Sequence, residues 1–391
     1  MILNRIQPFV DRFIPKEQAA FRPGRSCDEQ VLALTSCIEK GFQQGLKTFV
    51  TFVDLSCAYD TVWREGLLLK LANIIPDRAM INFLDNCLSN RMLRVFMTTG
   101  SSRWRRVNNG LPQGSVLSPV LYNIYTSDLP PTHSKKFLFA DDKALAIQMQ
   151  TFEAAETILE CDLKIMDDYY TNWRLKPNPS KTEKAAFHLN NKETNRKLEV
   201  HFNDVLLCHN QLPKSLGVSL DRSLTYKDHI QKLCLKINSR NNIIQKLVGS
   251  GWGAPVDTLR TSSISLVYST AEYCAAVWRN SRHAQKVDTK LNQTMRLISS
   301  TVKSTPTIWL PTLCNIAPPD LRRTKVTSAL LNRCLQHGSS ILEDILAKRP
   351  VQRLKSRYFV WNEVPNILTY NISDKWREKL ARLLTIQLPS L

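Results

Sequence analysis

Apolar residues recur at two different periods along this chain, and the switch between them marks its elements. Phe137, Leu138 and Phe139, then Ala144, Leu145, Ala146 and Ile147, form two short apolar runs around Ala140-Asp141-Asp142. Such runs about a brief polar break predict a hairpin with both carboxylates at its turn. Thr48 to Leu55 is a second β-rich run, with Asp54 near its end. Leu198 to Phe202 and Val205 to Cys208, parted by Asn203-Asp204, predict another hairpin. Residues 91–107 alternate enough for one more, with Gly100 and Ser101 at its turn and Arg103, Arg105 and Arg106 beyond. Helical spacing predicts helices over 28–46 (Val31, Leu34, Ile38, Phe42), 78–90 and 152–172 (Ala155, Ile158, Leu159, Leu163, Met166). Ile2, Ile6, Phe9, Val10 and Phe13 place one at the start. The loop Asn109 to Ser115 opens a helix expected to bury Val116, Val120, Leu121 and Ile124. From 225 onward the pattern is mostly helical, with Val287, Leu291, Met295 and Ile298 on one stripe.

Composition narrows the class. At 391 residues with 43% hydrophobic side chains, the chain can build two or three cores. Its net charge of +19 points to a polyanionic partner, most simply nucleic acid. The charge is uneven: residues 1–200 hold 26 basic and 22 acidic side chains, and 201–391 hold 27 and 12. The ten cysteines form no CxxC pair or zinc-finger spacing, so no zinc site is expected. No apolar run nears the ~20 residues that span a bilayer, and no secretory leader pattern is present. An intracellular protein, nuclear or cytoplasmic, is expected.

The adjacent acids Asp141 and Asp142 repel each other unless solvated or paired with a cation. A solvated hairpin tip satisfies them; so does a hard divalent ion, which takes oxygen ligands. The second reading needs a further acid nearby, and Asp54, closing a strand 87 positions earlier, supplies one. Arg22 and Arg25 flank Pro23-Gly24, either a grip for phosphates or a solvated basic turn. Gly110 and Gly114 bound a loop where backbone can approach a ligand closely.

In their order, these pieces resemble the reverse transcriptases of non-long-terminal-repeat (LINE-type, jockey-like) retrotransposons. Phe52 to Asp60 looks like that family's first metal-binding motif, and Gly110 to Pro119 its template and nucleotide loop. Phe139-Ala140-Asp141-Asp142 looks like the aromatic-x-Asp-Asp box. Leu175 to Glu183, with Asn178 and Lys181-Thr182, resembles the next motif, and Leu216-Gly217 the primer-grip region. Gln18 to Arg25 resembles the fingers motif, with Ala20 where the family usually has glycine. Together these motifs are specific, although each alone is weak. Tyr273 to Arg323 looks like the region that follows the polymerase in jockey-like elements.

The resemblance implies an α+β right-hand polymerase: partial fingers and a palm with an antiparallel sheet over 1–220, a helical thumb-like region over 221–310, and a helical basic tail over 311–391. It implies that Asp54, Asp141 and Asp142 ligate magnesium, with manganese as an alternative. Lys181 would protonate or screen pyrophosphate. Arg22, Leu55, Tyr59, Gln113 and Gly114 would surround the nucleotide, Tyr59 excluding a ribose 2′-hydroxyl. Asp60 would hold the loop in place. Partners implied are an RNA template, a DNA primer and deoxynucleoside triphosphates. Against the family pattern the chain reads as truncated at its N-terminal side, without an endonuclease. A catalytically silent, nucleic-acid-binding remnant is the alternative function, and a maturase-like splicing factor a weaker one.

Overall fold

Lys47–Val53 (β1) reads Lys-Thr-Phe-Val-Thr-Phe-Val and buries nearly every side chain, Thr48 and Thr51 included. A β-branched and aromatic run buried on both faces belongs at the centre of a sheet, and β1 is the middle of five strands. The structure is a computed structural model describing residues 1–249, 253–338 and 353–354. The chain divides into two compact units, Met1–Ser26 with Leu46–Gln211, and Cys27–Gly45 with Leu212–Leu391.

The first unit opens with helix α1 (Ile2–Val10); the helix that follows, α2 (Cys27–Gln44), belongs to the second unit. After β1 come α3 (Arg64–Ile74) and α4 (Arg78–Leu88), the latter capped by Asp77, whose carboxylate accepts from the N–H groups of Ala79 and Met80. Next is an arm of four short strands, β2 (Arg91–Leu93), β3 (Phe96–Met97), β4 (Gly100–Ser101) and β5 (Arg105–Val107). Its turn falls at Thr98-Thr99, slightly before the expected Gly100-Ser101, which instead begin the returning strand. Helix α5 (Ser118–Tyr125) follows the glycine-bounded loop. Because α5 starts only at Ser118, Val116 lies in the loop and is 72% exposed, not on the buried face the spacing predicts.

Strands β6 (Lys135–Phe139) and β7 (Asp142–Met149) form the expected hairpin, and helix α6 (Phe152–Asn172) covers the residues its apolar stripe predicts. Then come β8 (Glu183–Phe187), the β9 (His201–Phe202) and β10 (Val205–Leu206) hairpin, and β11 (Cys208–His209). The sheet order is β11-β8-β1-β7-β6. All its pairings are antiparallel except β8 with β11. Leu145 and Phe49 from the sheet, Leu163 and Met166 from α6, and Tyr122 and Ile124 from α5 share one buried core. Asp162, fully buried on α6, accepts from the N–H groups of His133 and Ser134 and so fixes the loop that feeds β6. Burial alone would raise that carboxyl; hydrogen bonds from Ser134 and His133 outweigh it and hold it below its usual value.

The second unit adds to α2 a small hairpin, β12 (Lys214–Ser215) and β13 (Val218–Ser219), and a helical run. The helices are α7 (Lys227–Leu247), α8 (Val256–Ser263), α9 (Ser269–Ala271), α10 (Ala275–Trp278), α11 (Gln285–Ser299), α12 (Leu310–Cys314) and α13 (Pro319–Gln336). Val287, Leu291, Met295 and Ile298 of α11 are buried as their spacing predicts. Leu216 and Gly217 therefore sit in the second unit. Most of the tail expected over 311–391 lies outside the described residues beyond α13. No described helix is long and apolar enough to cross a membrane. Fold class is as expected: α+β, with an antiparallel sheet and helices followed by a helical run.

Candidate active site

Register brings three acidic residues to one end of the sheet. β1 pairs β7 from Lys47 opposite Met149 to Val53 opposite Lys143. Asp54 is the next residue beyond that last pair, and so comes alongside Asp142, the first residue of β7. Asp141 occupies the turn itself, since β6 and β7 close on the pair Phe139 and Asp142. The charges feel one another: burial first, then Asp141 and Asp54, raise the Asp142 carboxyl above its usual value, with Lys143 opposing them.

Both acidic positions are held from outside the sheet. The turn residue Ala140 has φ 56, a left-handed conformation costing a non-glycine residue roughly 1–2 kcal/mol. The buried side chain of Gln18 holds it there. Its Oε1 accepts from Ala140 N–H at 3.0 Å, and its Nε2 donates to Ala140 C=O at 3.4 Å. The same Oε1 accepts from Ala20 N–H, and Ala19 N–H donates to Leu138 C=O, so residues 18–20 run along the free edge of β6. Ala20 is fully buried and the left-handed residue is its neighbour Phe21 (φ 57), so alanine at 20 needs no glycine-like backbone. Asp54 is fixed by the Pro-Asn-Pro turn. Its N–H donates to Thr182 Oγ1 at 3.2 Å, and its C=O accepts from Asn178 N–H at 2.9 Å. Thr182 Oγ1 in turn donates to Asn178 C=O, and Leu55 bridges Pro177.

Gln18 is thus a positioning residue in a segment the sequence associates with phosphate binding. Gln18→Leu is expected to leave two buried backbone groups of Ala140 unpaired, at about 1–3 kcal/mol each. The carboxylates would then be placed less firmly, raising the half-saturating magnesium concentration for primer extension about tenfold with KM for nucleotide little changed. Direct metal titration by calorimetry checks it, since a purely structural loss would lower melting temperature without that selective shift.

The remaining candidate residues separate. Tyr59 lies within a short turn at Cys57–Thr61 and stacks on Tyr122, ring centroids 4.7 Å apart and planes 15° from parallel. Burial, then the Asp141 charge, push the Tyr59 hydroxyl up to about 12, so it is a neutral phenol. The glycine-bounded loop is docked on this same turn: Gly110 N–H donates to Val62 C=O, and Leu111 N–H to Tyr59 C=O. Gln113 Nε2 donates to both Asp60 carboxylate oxygens (3.2 and 3.3 Å), so Asp60 and Gln113 hold each other. Gly114 is exposed with φ +86 and nothing within 4 Å of where a Cβ would lie. Arg22 donates to the carbonyls of Pro15 and Gln18, which places its guanidinium in the support of the Gln18 segment. Lys181 is exposed just after the Pro-Asn-Pro turn.

Lys143 carries no signal in the sequence beyond its place after two acids. Alternation along β7 sends it to the opposite face from Asp142. There it is buried, 5.4 Å from the centre of the Tyr170 ring, and burial lowers it to about 8 against the pull of Asp141 and Asp142.

In the second unit, Leu216 (φ 43) and Gly217 (φ 90) form the left-handed turn of the β12–β13 hairpin. Tyr273 donates to Leu216 C=O at 2.7 Å. Beside it is a cavity of about 440 Å³ lined by Lys214, Lys232, Lys236, His229, Ser219 and Tyr273 among others. Burial, then Lys236 and Lys232, lower His229 to about 4, so it is neutral.

As a donor set, the three carboxylates suit a hard divalent cation. Among the described residues no three acidic, histidine or cysteine side chains are placed to hold a metal ion together. An open set of few carboxylates is the kind magnesium takes, since it keeps waters and binds substrate phosphates alongside one or two carboxylates.

The sheet thus ends in acids, and the tyrosine turn that follows one of them carries the glycine-bounded loop. The chain belongs to the reverse transcriptase (RNA-dependent DNA polymerase) family, whose sequence profile matches residues 1–220. Its relatives include the probable RNA-directed DNA polymerase from transposon BS of Drosophila melanogaster, 27% identical over 375 residues. That match covers 92% of this chain and 41% of the relative. The RNA-directed DNA polymerase from mobile element jockey of Drosophila melanogaster is 29% identical over 245 residues, 60% of this chain and 26% of that protein. The chain thus spans well under half the length of these relatives. Among solved structures, apo telomerase from Candida tropicalis aligns over 88% of this chain and 60% of its own, with 10% identity and a TM-score of 0.45. The resemblance to LINE-type, jockey-like enzymes read from the motifs is borne out by the family and by these relatives.

Proposed function

We propose that this chain is an RNA-directed DNA polymerase of a mobile element, extending a DNA primer on an RNA template with deoxynucleoside triphosphates. The observation that carries this reading is the arrival of Asp54, Asp141 and Asp142 at one end of the sheet, with the backbone of Asp54 held by Thr182 and that of the turn residue Ala140 held by Gln18. When bound by these three carboxylates, a pair of magnesium ions would polarise the primer 3′-hydroxyl and neutralise the leaving pyrophosphate; manganese satisfies the same donors. Tyr59, stacked on Tyr122, would pack under the incoming sugar and exclude a 2′-hydroxyl by contact. Gln113, tied to Asp60, and Gly114 would shape the pocket around nucleotide and template. Leu55 would line its floor, Lys181 would donate a proton to pyrophosphate, and Arg22 would act through the Gln18 segment more than on the triphosphate. The Leu216–Gly217 turn would guide the primer strand.

Extension of oligo(dT) on poly(rA) tests the reading. A ladder that requires magnesium and disappears with chelator is expected; a chain that binds the heteroduplex but never extends it overturns the proposal in favour of a silent remnant. Sugar selectivity is a separate expectation. Tyr59→Ala should reduce discrimination against ribonucleotides by roughly 10–200-fold, the range one pocket contact supplies. Single-nucleotide incorporation with matched deoxy and ribo substrates measures it, and an active variant of unchanged selectivity would remove Tyr59 from that role.

A further inference from the structure

The arm from Arg91 to Val107 plays no part in the site just described, and its surface is unusual. It carries five arginines (91, 94, 103, 105 and 106) and no acidic residue. It also leaves large apolar side chains in water: Phe96 is 72% exposed, Met97 67% and Trp104 58%. Arginines alone would be an ordinary guard on exposed strand edges. Exposed aromatic rings are not, because each leaves apolar area in water that folding could have covered.

The arm is built to hold these rings. Leu93 lies opposite Arg105 and Phe96 opposite Ser101, so the returning strand carries one extra residue between the pairs, a bulge around Arg103 and Trp104. Val95 and Ser102 exchange hydrogen bonds across the arm beside it. The Arg94 guanidinium, half-buried, sits over both rings, 4.3 Å from the Phe96 centre and 5.2 Å from that of Trp104. One cation therefore fixes two aromatic side chains side by side while both stay open to solvent. At its base, Arg91 donates to the carbonyls of Asn109 and Gly110, fastening the arm to the loop that carries Gln113.

We propose that this arm is a binding surface for an unpaired nucleic-acid strand, with bases stacking on Phe96 and Trp104 and phosphates meeting Arg103, Arg105 and Arg106. Base-on-aromatic stacking with a cationic track is the chemistry by which single strands are held without sequence preference. Clustered positive charge without counter-charge selects a polyanion over an apolar protein face. The proposal rests on the polymerase reading only for the strand's identity, an RNA template outside the heteroduplex.

The test uses the full chain, without nucleotide, and fluorescence anisotropy with a labelled 20-nucleotide oligo(rU) and with a blunt RNA–DNA duplex. The F96A/W104A variant is expected to bind oligo(rU) at least tenfold more weakly and the duplex within twofold of wild type. The R103Q/R105Q/R106Q variant should lower the log–log salt slope of single-strand binding by roughly 2, three phosphate contacts at about 0.7 each. F96Y/W104F, which keeps both π faces, should restore the affinity. Circular dichroism melting should not move, because the substituted side chains are exposed. Equal oligo(rU) affinity in wild type and F96A/W104A overturns the proposal. So does a wild-type dimer in sedimentation that F96A/W104A dissolves, which would make the arm a self-association surface. Arm-dependent oligo(rU) binding by a chain that extends no primer would overturn the polymerase reading and leave this one standing.

Discussion

Asp141→Asn is expected to abolish primer extension, by about four orders of magnitude, while the protein melts no lower than wild type. Asparagine keeps the size of the side chain and removes the charge. If Asp141 is a metal ligand, several kcal/mol of transition-state stabilisation go with it, at 1.36 kcal/mol for each factor of ten. Stability should respond in the other direction. In the folded chain burial first, then the charges of Asp141 and Asp54, raise the Asp142 carboxyl. A carboxyl raised by folding costs native stability as pH climbs from its unfolded value through its folded one. Without metal at neutral pH, removing the Asp141 charge relieves part of that cost, and the part due to burial remains. Magnesium should reverse the order, because a ligand that binds only the native state stabilises it by mass action. Wild type should gain melting temperature on adding magnesium and the variant should not. A variant that loses activity and also melts far lower, with or without metal, would show that Asp141 acts through the turn's structure and not through its charge.

Gly110→Ala is the second large effect, and it is one of stability. Gly110 has φ +77, and a Cβ there would lie 2.6 Å from the Asp60 carbonyl oxygen and 2.7 Å from its Cα. Both are backbone atoms, so no side chain can swing aside. The loop would have to lift, breaking the hydrogen bonds from Gly110 to Val62 and from Leu111 to Tyr59. The loss should exceed about 4 kcal/mol, the range reserved for strain combined with broken buried contacts. Gly114→Ala is the control. Its φ is equally left-handed, but nothing lies within 4 Å of the added carbon, so only the conformational cost of about 1–2 kcal/mol remains. Chemical denaturation of both variants distinguishes them; equal losses would show that the docking of the loop on Asp60 contributes nothing.

The contrast between those glycines shows the limit of the sequence. Both stand in one motif, and both have the same character on paper. Which of them is pressed against backbone depends on where the turn after β1 lies, and that is a tertiary fact. Gln18 makes the same point. Its segment was legible as a basic turn with phosphate-binding character, yet its side chain closes on Ala140, 122 residues away. No local pattern encodes a hydrogen bond between segments so far apart. Val116 was misplaced because apolar spacing does not report that a helix starts two residues later.

The sequence by itself determined the elements and the chemistry. Periodicity gave α6 and the β6–β7 hairpin, since side-chain alternation and helical repeat are local properties of the chain. The ordered motifs gave the family, because residue types at a reactive site are constrained by the reaction. The tertiary structure alone decided register and support. The pairing of Val53 with Lys143 brings Asp54 alongside Asp142, Thr182 and Gln18 hold the two acidic positions, and Lys143 is buried beneath them. Those arrangements follow from packing between distant segments, where burial and backbone hydrogen bonding are satisfied jointly and no single stretch carries the answer.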